Sequence, residues 1–204
     1  MPMAPTTPRT EHTIENWLRE SARVHTNTAE SQAAAIARAA EAMGKALRAG
    51  RKIIWFANGG SATQSQHMAA EFVGRFCNDR RSLPSISLTE NMASVTAIAN
   101  DYDYQRLFSR QLEGLSQPGD VAVGISTSGN SPNVLAALRR ARELGVTAIG
   151  LTGAGGGAMR PACDICIEVA STTTARIQEA HLTVGHILCA LAEAAVLAAD
   201  SAKS

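Results

Sequence analysis

The sequence predicts a single α/β domain in which a parallel sheet is covered by helices on both faces. Three observations support this fold class. The chain has 204 residues, which suffices for one domain with a sizeable core. Its composition, 45% apolar with a net charge of +1, is that of a soluble globular protein. Short, almost wholly apolar runs alternate with helical segments, a pattern typical of buried parallel strands.

Five apolar runs are too short for helices and are predicted as strands: residues 52–57, 85–88, 121–125, 146–151 and 165–169. Five helical stretches follow or separate them: residues 62–76, 91–100, 104–116, 132–144 and 175–199. Parallel strands so connected place ligands at their carboxyl ends.

The N-terminal region lies outside this alternation. Residues 1–10 carry three prolines and are predicted to form a flexible tail. Residues 11–26 and 29–49 are predicted as two helices, the second ending at Gly50. We therefore expect one domain over residues 11–200, with N-terminal helices at 11–50 and an α/β core at 51–200.

Charge and hydropathy exclude several classes of protein. The balanced charge gives no reason to expect nucleic acid as a partner. The N-terminus has no apolar run of the kind a secretory signal requires. The longest apolar stretch, residues 187–199, is interrupted by Glu193 and is shorter than the ~20 residues that span a bilayer. We expect a cytoplasmic protein without a membrane partner.

The four cysteines do not suggest a disulfide framework. Cys163 and Cys166 form a C-x-x-C pair, which could indicate a redox pair or half of a zinc site. No second close pair completes such a zinc site, and Cys166 lies in a predicted strand. We therefore interpret Cys166 as a small buried residue.

Two polar loops follow predicted strands. Asn58, Gly59, Gly60 and Ser61 form the first, which alone is also explained as an ordinary turn with Ser61 capping the next helix. The second, Ser126-Thr127-Ser128-Gly129-Asn130-Ser131, carries four hydroxyls before a helix N-terminus. Such a terminus favours an anion, and the nucleotide-binding G-x-x-x-x-G-K-[ST] and G-x-G-x-x-G patterns are absent from it. The sequence favours a phosphorylated small metabolite over a capping turn.

Histidine and carboxylate residues suggest a metal site. His67 and Glu71 are four residues apart on one predicted helix face, as metal ligands or as a surface pair. The last helix carries Gln178 and His186, eight residues and about 12 Å apart. His186 alone could equally be a core residue. If both bind one ion, they must stretch toward each other, start from an irregular turn, or belong to different subunits, so we hypothesise a site at a subunit interface.

The chain from about residue 10 to 200 resembles the sedoheptulose-7-phosphate isomerases, also called phosphoheptose isomerases, of the sugar isomerase (SIS) domain superfamily. The carrying segments are NGGSATQSQHMAAEFVGRF, TAIANDYDY, GISTSGNSPNVLAAL, LTGAGGGAM and TARIQEAHLTVGH. The resemblance implies a three-layer αβα sandwich of the flavodoxin-like kind, with a five-stranded parallel sheet. It also implies a homotetramer with active sites at subunit interfaces, and a phosphosugar substrate.

The resemblance further implies one zinc per subunit, held by His67, Glu71, Gln178 and His186, with Glu71 and His186 as the acid–base pair. It implies these substrate-binding positions: Asn58, Gly59, Gly60, Ser61, Glu71, Asn100, Asp101, Ser126, Thr127, Ser128, Ser131 and Gln178. Some relatives carry an aspartate just before the R-I-Q segment, where this chain has Ala175 and no acid nearby.

Two alternatives remain open at this stage. One is a non-catalytic SIS protein that binds the bacterial replication initiator, which also shares the T-A-R-I-Q-E string. The other is an SIS isomerase acting on a different phosphosugar. The pair of Glu71 and His186 favours an enzyme, because a scaffold has no use for it.

Overall fold

The computed structural model describes residues 10–202. Six α-helices are present in it: α1 Thr10–Arg48, α2 Gly60–Val73, α3 Met92–Asp101, α4 Leu107–Leu115, α5 Pro132–Glu143 and α6 Thr174–Ser201. Five strands are present: β1 Ile53–Ala57, β2 Ser85–Ser87, β3 Val121–Ser126, β4 Thr147–Thr152 and β5 Ile165–Glu168. Short 3-10 helices cover Tyr104–Arg106 and Gly157–Ala162. The predicted strands and core helices are confirmed with ends shifted by up to three residues.

All five strands pair in parallel in the order β2-β1-β3-β4-β5. The three central strands are almost completely buried, which explains why apolar residues fill nearly all of their positions rather than alternate ones. After β1 the chain adds β2 on one side of β1 and then returns to add β3 on the other side, so the direction in which strands are added reverses between β1 and β3. In sheets of this kind, ligands bind at that switch point, beyond the carboxyl ends of the strands.

Helices cover both faces of the sheet, so the predicted three-layer sandwich is confirmed. Residues from α1, α2 and α6 form one apolar cluster with alternate side chains of the strands, including Ile53 and Trp55. Residues from α4 and α5 form a second cluster with the intervening side chains, including Ile54 and Phe56. The alternation of strand side chains between faces divides the core in this way.

The N-terminal region corrects the sequence prediction of two helices, because α1 is continuous from Thr10 to Arg48. The polar segment around Thr26 suggested a break, but its hydroxyl bonds the carbonyl of Ala22 inside the helix. Thr28 is buried and accepts a hydrogen bond from the backbone of Ala170. Packing along α6 therefore keeps the helix intact, and local polarity does not end it. The predicted tail at residues 1–10 lies outside the described residues except for Thr10, which begins α1.

Helix α6 is long and apolar enough, by length and composition alone, to span a membrane. In this structure it packs against α1, α2 and β4 and buries two ionisable side chains, His181 and Glu193. The Nε2 of His181 lies 3.1 Å from the carbonyl oxygen of Thr152. Burial lowers the pKa of His181 to about 4, against the weaker raising effect of that bond, so the ring is neutral at pH 7. These contacts are those of a core helix in a folded domain.

The four cysteines are free thiols. Cys163 is buried and lies 3.2 Å from the carbonyl of Met159, while Cys166 is half-buried in β5. Cys166 is thus less buried than the sequence predicted, because β5 is an edge strand with one neighbour.

Candidate active site

Helices α2 and α6 bring three potential metal-binding side chains together within one chain. His67 Nε2 lies 3.1 Å from Glu71 Oε1 and 3.0 Å from His186 Nε2. The ligand atoms of all three lie within 4.8 Å of one another. His67 and Glu71 share a face of α2 because they are four residues apart, as their spacing predicts. His186 is half-buried and its ring nitrogen faces His67, so it is not a core residue. The role of the three side chains as metal ligands stays a prediction, and so does the alternative of a surface pair for His67 and Glu71.

A glycine sets the close approach of the two helices. Gly185 precedes His186 on α6, and a Cβ added there would lie 2.4 Å from the sulfur of Met68, which follows His67 on α2. Met68 is buried, so it has little room to move. The helices therefore meet at a point that only a residue without a side chain allows, directly beside both histidines.

Aromatic contacts orient the two imidazoles. The rings of His67 and His186 meet edge to face, with centroids 5.2 Å apart and an interplanar angle of 61°. Phe76, in the segment after α2, also stacks on His186, with centroids 5.4 Å apart and an interplanar angle of 21°. The ring of His186 thus contacts both an aromatic ring and the second histidine.

The donor set fits a zinc ion chemically. Two imidazole nitrogens and a carboxylate oxygen are common zinc ligands, and donors around a tetrahedral zinc lie about 3.3–3.6 Å apart. The separations from His67 to Glu71 and to His186 are close to this value. The two Nε2 atoms also cannot both keep a proton at 3.0 Å, whereas both can donate electron pairs to a cation. Small side-chain movements would bring all three ligand atoms to coordination distance from one ion.

Gln178 lies near the start of α2, away from the three ligand atoms. Its side-chain nitrogen is 3.3 Å from the position a Cβ on Gly60 would occupy, and its backbone carbonyl accepts a hydrogen bond from Gln64 at 2.8 Å. Gly60 is seven residues before His67, about 10 Å along α2. The contacts of Gln178 are thus with the start of α2, and its role as fourth metal ligand stays a prediction.

The hypothesis of an active site shared between subunits stays a prediction. His186 reaches His67 and Glu71 in its own chain, so donors from different subunits are not needed for these three. Along α2, Gln178 lies near the start of the helix and His186 lies further on, beside His67, so the structure does not bring Gln178 and His186 to one point.

The serine and threonine loop connects β3 to α5 at the switch point of the sheet. Ser126 is buried, and its hydroxyl lies 2.9 Å from that of Ser131 and 3.4 Å from that of Ser128. Thr127 accepts a hydrogen bond from the backbone of Gly153 through its carbonyl. The loop therefore gathers three hydroxyls beside the N-terminus of α5, and Ser131, at its N-cap, makes no capping hydrogen bond with its side chain.

Gly129 permits this loop to fold tightly. Its φ of 66° is in the left-handed region, and an added Cβ would lie 2.4 Å from the carbonyl oxygen of Gly156. Both features require glycine.

The first polar loop lies beside the second. Asn58 and Asn133 exchange two amide hydrogen bonds of 2.8 Å each, and the Tyr104 hydroxyl donates to Asn58 at 2.9 Å. Asn133 is buried in the first turn of α5, so it joins the loop after β1 to the loop after β3. Sequence analysis missed Asn133 and Tyr104. The position of Asn133 directly after the hydroxyl loop was a usable signal, since these two strand ends adjoin.

Two further predictions about this region have different outcomes. Ser61 does not cap α2, because the helix begins at Gly60 with Gly59 as its N-cap at a φ of 55°. Ser61 is buried in the first turn, where its carbonyl accepts a hydrogen bond from Ser65. Asn100 and Asp101 are exposed at the end of α3 and bond each other at 2.8 Å. Within residues 10–202, no hydrogen bond or ion pair joins them to another candidate residue, so their substrate role stays a prediction.

Comparison with known proteins agrees with this geometry. Residues 16–153 match the SIS domain family. A phosphoheptose isomerase of Rhodospirillum rubrum is 53% identical over 164 residues, which cover 80% of this chain and 87% of the relative. The structure of a phosphoheptose isomerase from Neisseria gonorrhoeae matches with a TM-score of 0.86 and 36% identity, covering 91% of this chain and all of the other.

A phosphoheptose isomerase from Francisella tularensis has the same TM-score at 34% identity, covering 90% of this chain and 98% of the other. The chain therefore belongs to the phosphoheptose isomerase family, a family of enzymes with the SIS-domain fold.

Proposed function

We propose that this chain converts sedoheptulose 7-phosphate to D-glycero-D-manno-heptose 7-phosphate, an aldose–ketose isomerisation early in heptose biosynthesis. The observation that carries the proposal is the meeting of Glu71 and His186, from distant segments of the chain, beside His67. The reaction needs a base and an acid that face adjacent carbons of one substrate. A carboxylate and an imidazole whose ligand atoms lie within 4.8 Å of each other support that assignment.

The proton transfers can be assigned to these two side chains. Glu71 takes the proton from C1 of the ketose, which leaves an enediolate across C1 and C2, and it returns the proton to C2. His186 moves the second proton from the oxygen on C1 to the oxygen on C2. The aldehyde then stands at C1 and a hydroxyl at C2, so no proton is gained or lost overall.

We propose one zinc ion per subunit, held by His67, Glu71, Gln178 and His186. A bound zinc would polarise the substrate carbonyl and stabilise the negative charge of the enediolate. A carboxylate held tightly by a metal is a weak base. Glu71 therefore serves in both roles only if its bond to the metal is weak or lengthens when the substrate binds.

The hydroxyl loop is the proposed phosphate site. The hydroxyls of Ser126, Ser128 and Ser131 lie together at the N-terminus of α5, where the helix dipole favours an anion. Thr127 completes the set. In the proposal, the remaining contacts to the sugar come from Asn58, Gly59, Gly60, Ser61, Asn100 and Asp101. Because this chain has no acid next to Ala175, where some relatives carry an aspartate, the proposal assigns no substrate contact to that position.

We also propose a cytoplasmic homotetramer. Large apolar side chains are exposed on the two helices of one layer: Ile14, Trp17 and Leu18 on α1, and Ile187 and Leu191 on α6. Association through these helices would bury them. Light scattering on the purified protein measures the mass directly, and a monomer at micromolar concentration would contradict the proposal.

The isomerase assay tests the function. Zinc-loaded protein and sedoheptulose 7-phosphate, followed by nuclear magnetic resonance, should give the aldose, and a chelator should stop the conversion. Glu71→Gln keeps the shape of the side chain but removes the base, so it should abolish turnover without lowering the melting temperature of the metal-free protein. Glu113, an exposed glutamate that pairs with Arg140 on the far side of the sheet, provides a matched control as Glu113→Gln.

The outcomes of these assays distinguish the proposed reaction from its alternatives. No turnover of this substrate by the zinc-loaded protein would contradict the proposed reaction, and turnover of a different phosphosugar would identify the alternative SIS isomerase. Near-native rates for Glu71→Gln would remove Glu71 from the mechanism.

A further inference from the structure

A buried carboxylate on α6 has no part in the reaction proposed above. Glu193 is fully buried, yet it is ionisable and lies in an apolar stretch of the helix. Its two oxygens accept five hydrogen bonds from the segment that follows α2. The donors are the backbone N–H groups of Phe76, Cys77 and Asn78, the Asn78 side chain, and Arg80 Nε at 2.9 Å.

Glu193 is held in its charged form. Burial by itself would raise its pKa, but the hydrogen bonds from Asn78, Cys77 and Phe76 and the charge of Arg80 outweigh burial and lower the pKa. The segment after α2 is therefore wrapped around a negative charge that α6 supplies.

Arg80 uses its remaining N–H groups on the end of α2. It donates to the backbone carbonyls of Glu71 at 2.9 Å, Phe72 at 2.8 Å and Gly74 at 3.0 Å. These carbonyls belong to the last turn of α2 and the residue after it. Carbonyl groups at the end of a helix have no N–H partner within the helix, and a cation is favourable there. The side chains of Arg80 and Glu193 are only 2% and 1% exposed. This guanidinium thus fixes the backbone of the turn that carries Glu71.

The ion pair also reaches the other member of the acid–base pair. Glu193 is seven residues after His186, two turns along the same face of α6. It binds the backbone N–H of Phe76 at 3.3 Å, and the ring of Phe76 stacks on His186. One ion pair therefore holds both the turn beneath Glu71 and the ring against which His186 lies.

Stability alone is a weak explanation for such a pair. Burying two charges costs much of what their attraction returns, and apolar side chains of similar volume are often at least as stabilising. Side chains that orient the metal ligands or catalytic residues, in contrast, commonly change metal affinity or activity by about 10–100-fold when they are altered.

We propose that the Glu193–Arg80 ion pair is a positioning device for the reaction site, which sets the ring of His186 through Phe76 and the backbone of Glu71 through the end of α2. The proposal rests on the proposed function only in assigning catalytic roles to Glu71 and His186. Its structural content, the geometry of the donor set, can be tested without the sugar substrate.

The test compares Glu193→Gln with Asp120→Asn. Asp120 is equally buried, forms an ion pair of 2.7 Å with Lys52, and accepts hydrogen bonds from the backbone N–H groups of Lys52 and Gln117. It lies at the amino end of the central strand β3, away from the candidate site. Three quantities are measured for each variant: the melting temperature of the metal-free protein, the affinity and visible absorption spectrum of bound Co²⁺, and kcat and KM with sedoheptulose 7-phosphate.

We expect both variants to melt at a lower temperature. Only Glu193→Gln should also bind Co²⁺ about tenfold or more weakly, with an altered spectrum, and lose at least about tenfold in kcat with little change in KM. Equal loss of melting temperature with unchanged Co²⁺ binding and kcat in Glu193→Gln would reduce the ion pair to a structural role and overturn the proposal.

A second variant covers the case in which Glu193→Gln does not fold. Phe76→Leu leaves the ion pair and its backbone hydrogen bonds in place but removes the ring from His186. An altered Co²⁺ spectrum with a near-native melting temperature supports the proposal, and an unchanged spectrum contradicts it. If the unaltered protein does not convert the sugar, the proposed function fails, while the Co²⁺ measurements still decide the positioning role.

Discussion

Replacing Gly185 with alanine tests whether the contact between α2 and α6 sets the geometry of the site. The new Cβ would lie 2.4 Å from the sulfur and 3.2 Å from the Cγ of Met68. Met68 is 2% exposed and its sulfur also touches Cys189, so its side chain cannot simply turn away. The helices must separate or Met68 must leave its rotamer.

Two opposing effects determine the magnitude. Inserting a methyl group into a packed core costs about 1–3 kcal/mol. Alanine in place of glycine inside a helix returns up to about 1 kcal/mol. We expect a net loss of about 1–2 kcal/mol, which for a domain of this size lowers the melting temperature by roughly 2–8 °C.

The matched control is Gly114→Ala in the last turn of α4. No atom lies within 4 Å of the position its Cβ would occupy, so only the gain in helix propensity applies. Calorimetry of both metal-free variants, followed by Co²⁺ titration, gives the result. We expect Gly185→Ala to melt below the unaltered protein and to bind Co²⁺ more weakly, and Gly114→Ala to melt at the same temperature or above it. Equal stability of the two variants with equal Co²⁺ affinity would refute the role assigned to Gly185.

Three further predictions concern the serine and threonine loop, the buried His181, and the group of His67, Glu71 and His186. Gly129→Ala forces a Cβ toward the carbonyl of Gly156 at a positive φ, so we expect at least about tenfold weaker competition by inorganic phosphate in the isomerase assay; unchanged inhibition would exclude the loop as the phosphate site. Because burial lowers the pKa of His181 to about 4, the unfolded chain binds more protons below about pH 6.5, and stability should fall by about 2 kcal/mol between pH 7 and pH 5. Urea unfolding of the metal-free protein measures this loss, which His181→Gln should lack; an equal loss in both would exclude His181 as its source. Mixed oligomers of Glu71→Gln and His186→Ala should show no recovery of activity, because both side chains belong to one triad within a single chain; recovery would mean that subunits exchange these residues.

The sheet could be predicted because its central strands are apolar at nearly every position. That pattern needs no knowledge of distant contacts, and it located β1, β3 and β4 to within one residue at each end. The continuous α1 could not be predicted, since the polar residues near Thr26 favour a break when read locally. What keeps the helix intact is its packing along α6, a contact between segments far apart in sequence.

In the site, too, relations between residues close in sequence could be predicted, and relations that depend on distant contacts could not. The spacing of His67 and Glu71 placed them on one helix face, because that relation is local. The arrival of His186 in the same chain depends on the angle at which α6 crosses α2, and that angle depends on the missing side chain of Gly185. The pair of Glu193 and Arg80 was equally invisible, because a glutamate within an apolar run gives no sign of its partner.

The reciprocal amide pair of Asn58 and Asn133 has a consequence for engineering this fold. Each amide offers its partner one donor and one acceptor, so a single replacement by aspartate would put two oxygens face to face and leave the remaining amide oxygen without a donor from its partner. The two loops are therefore not separate modules. A substrate-specificity change that transplants one of them into another scaffold has to carry the matching asparagine of the other, and libraries that vary the two loops should sample these positions jointly.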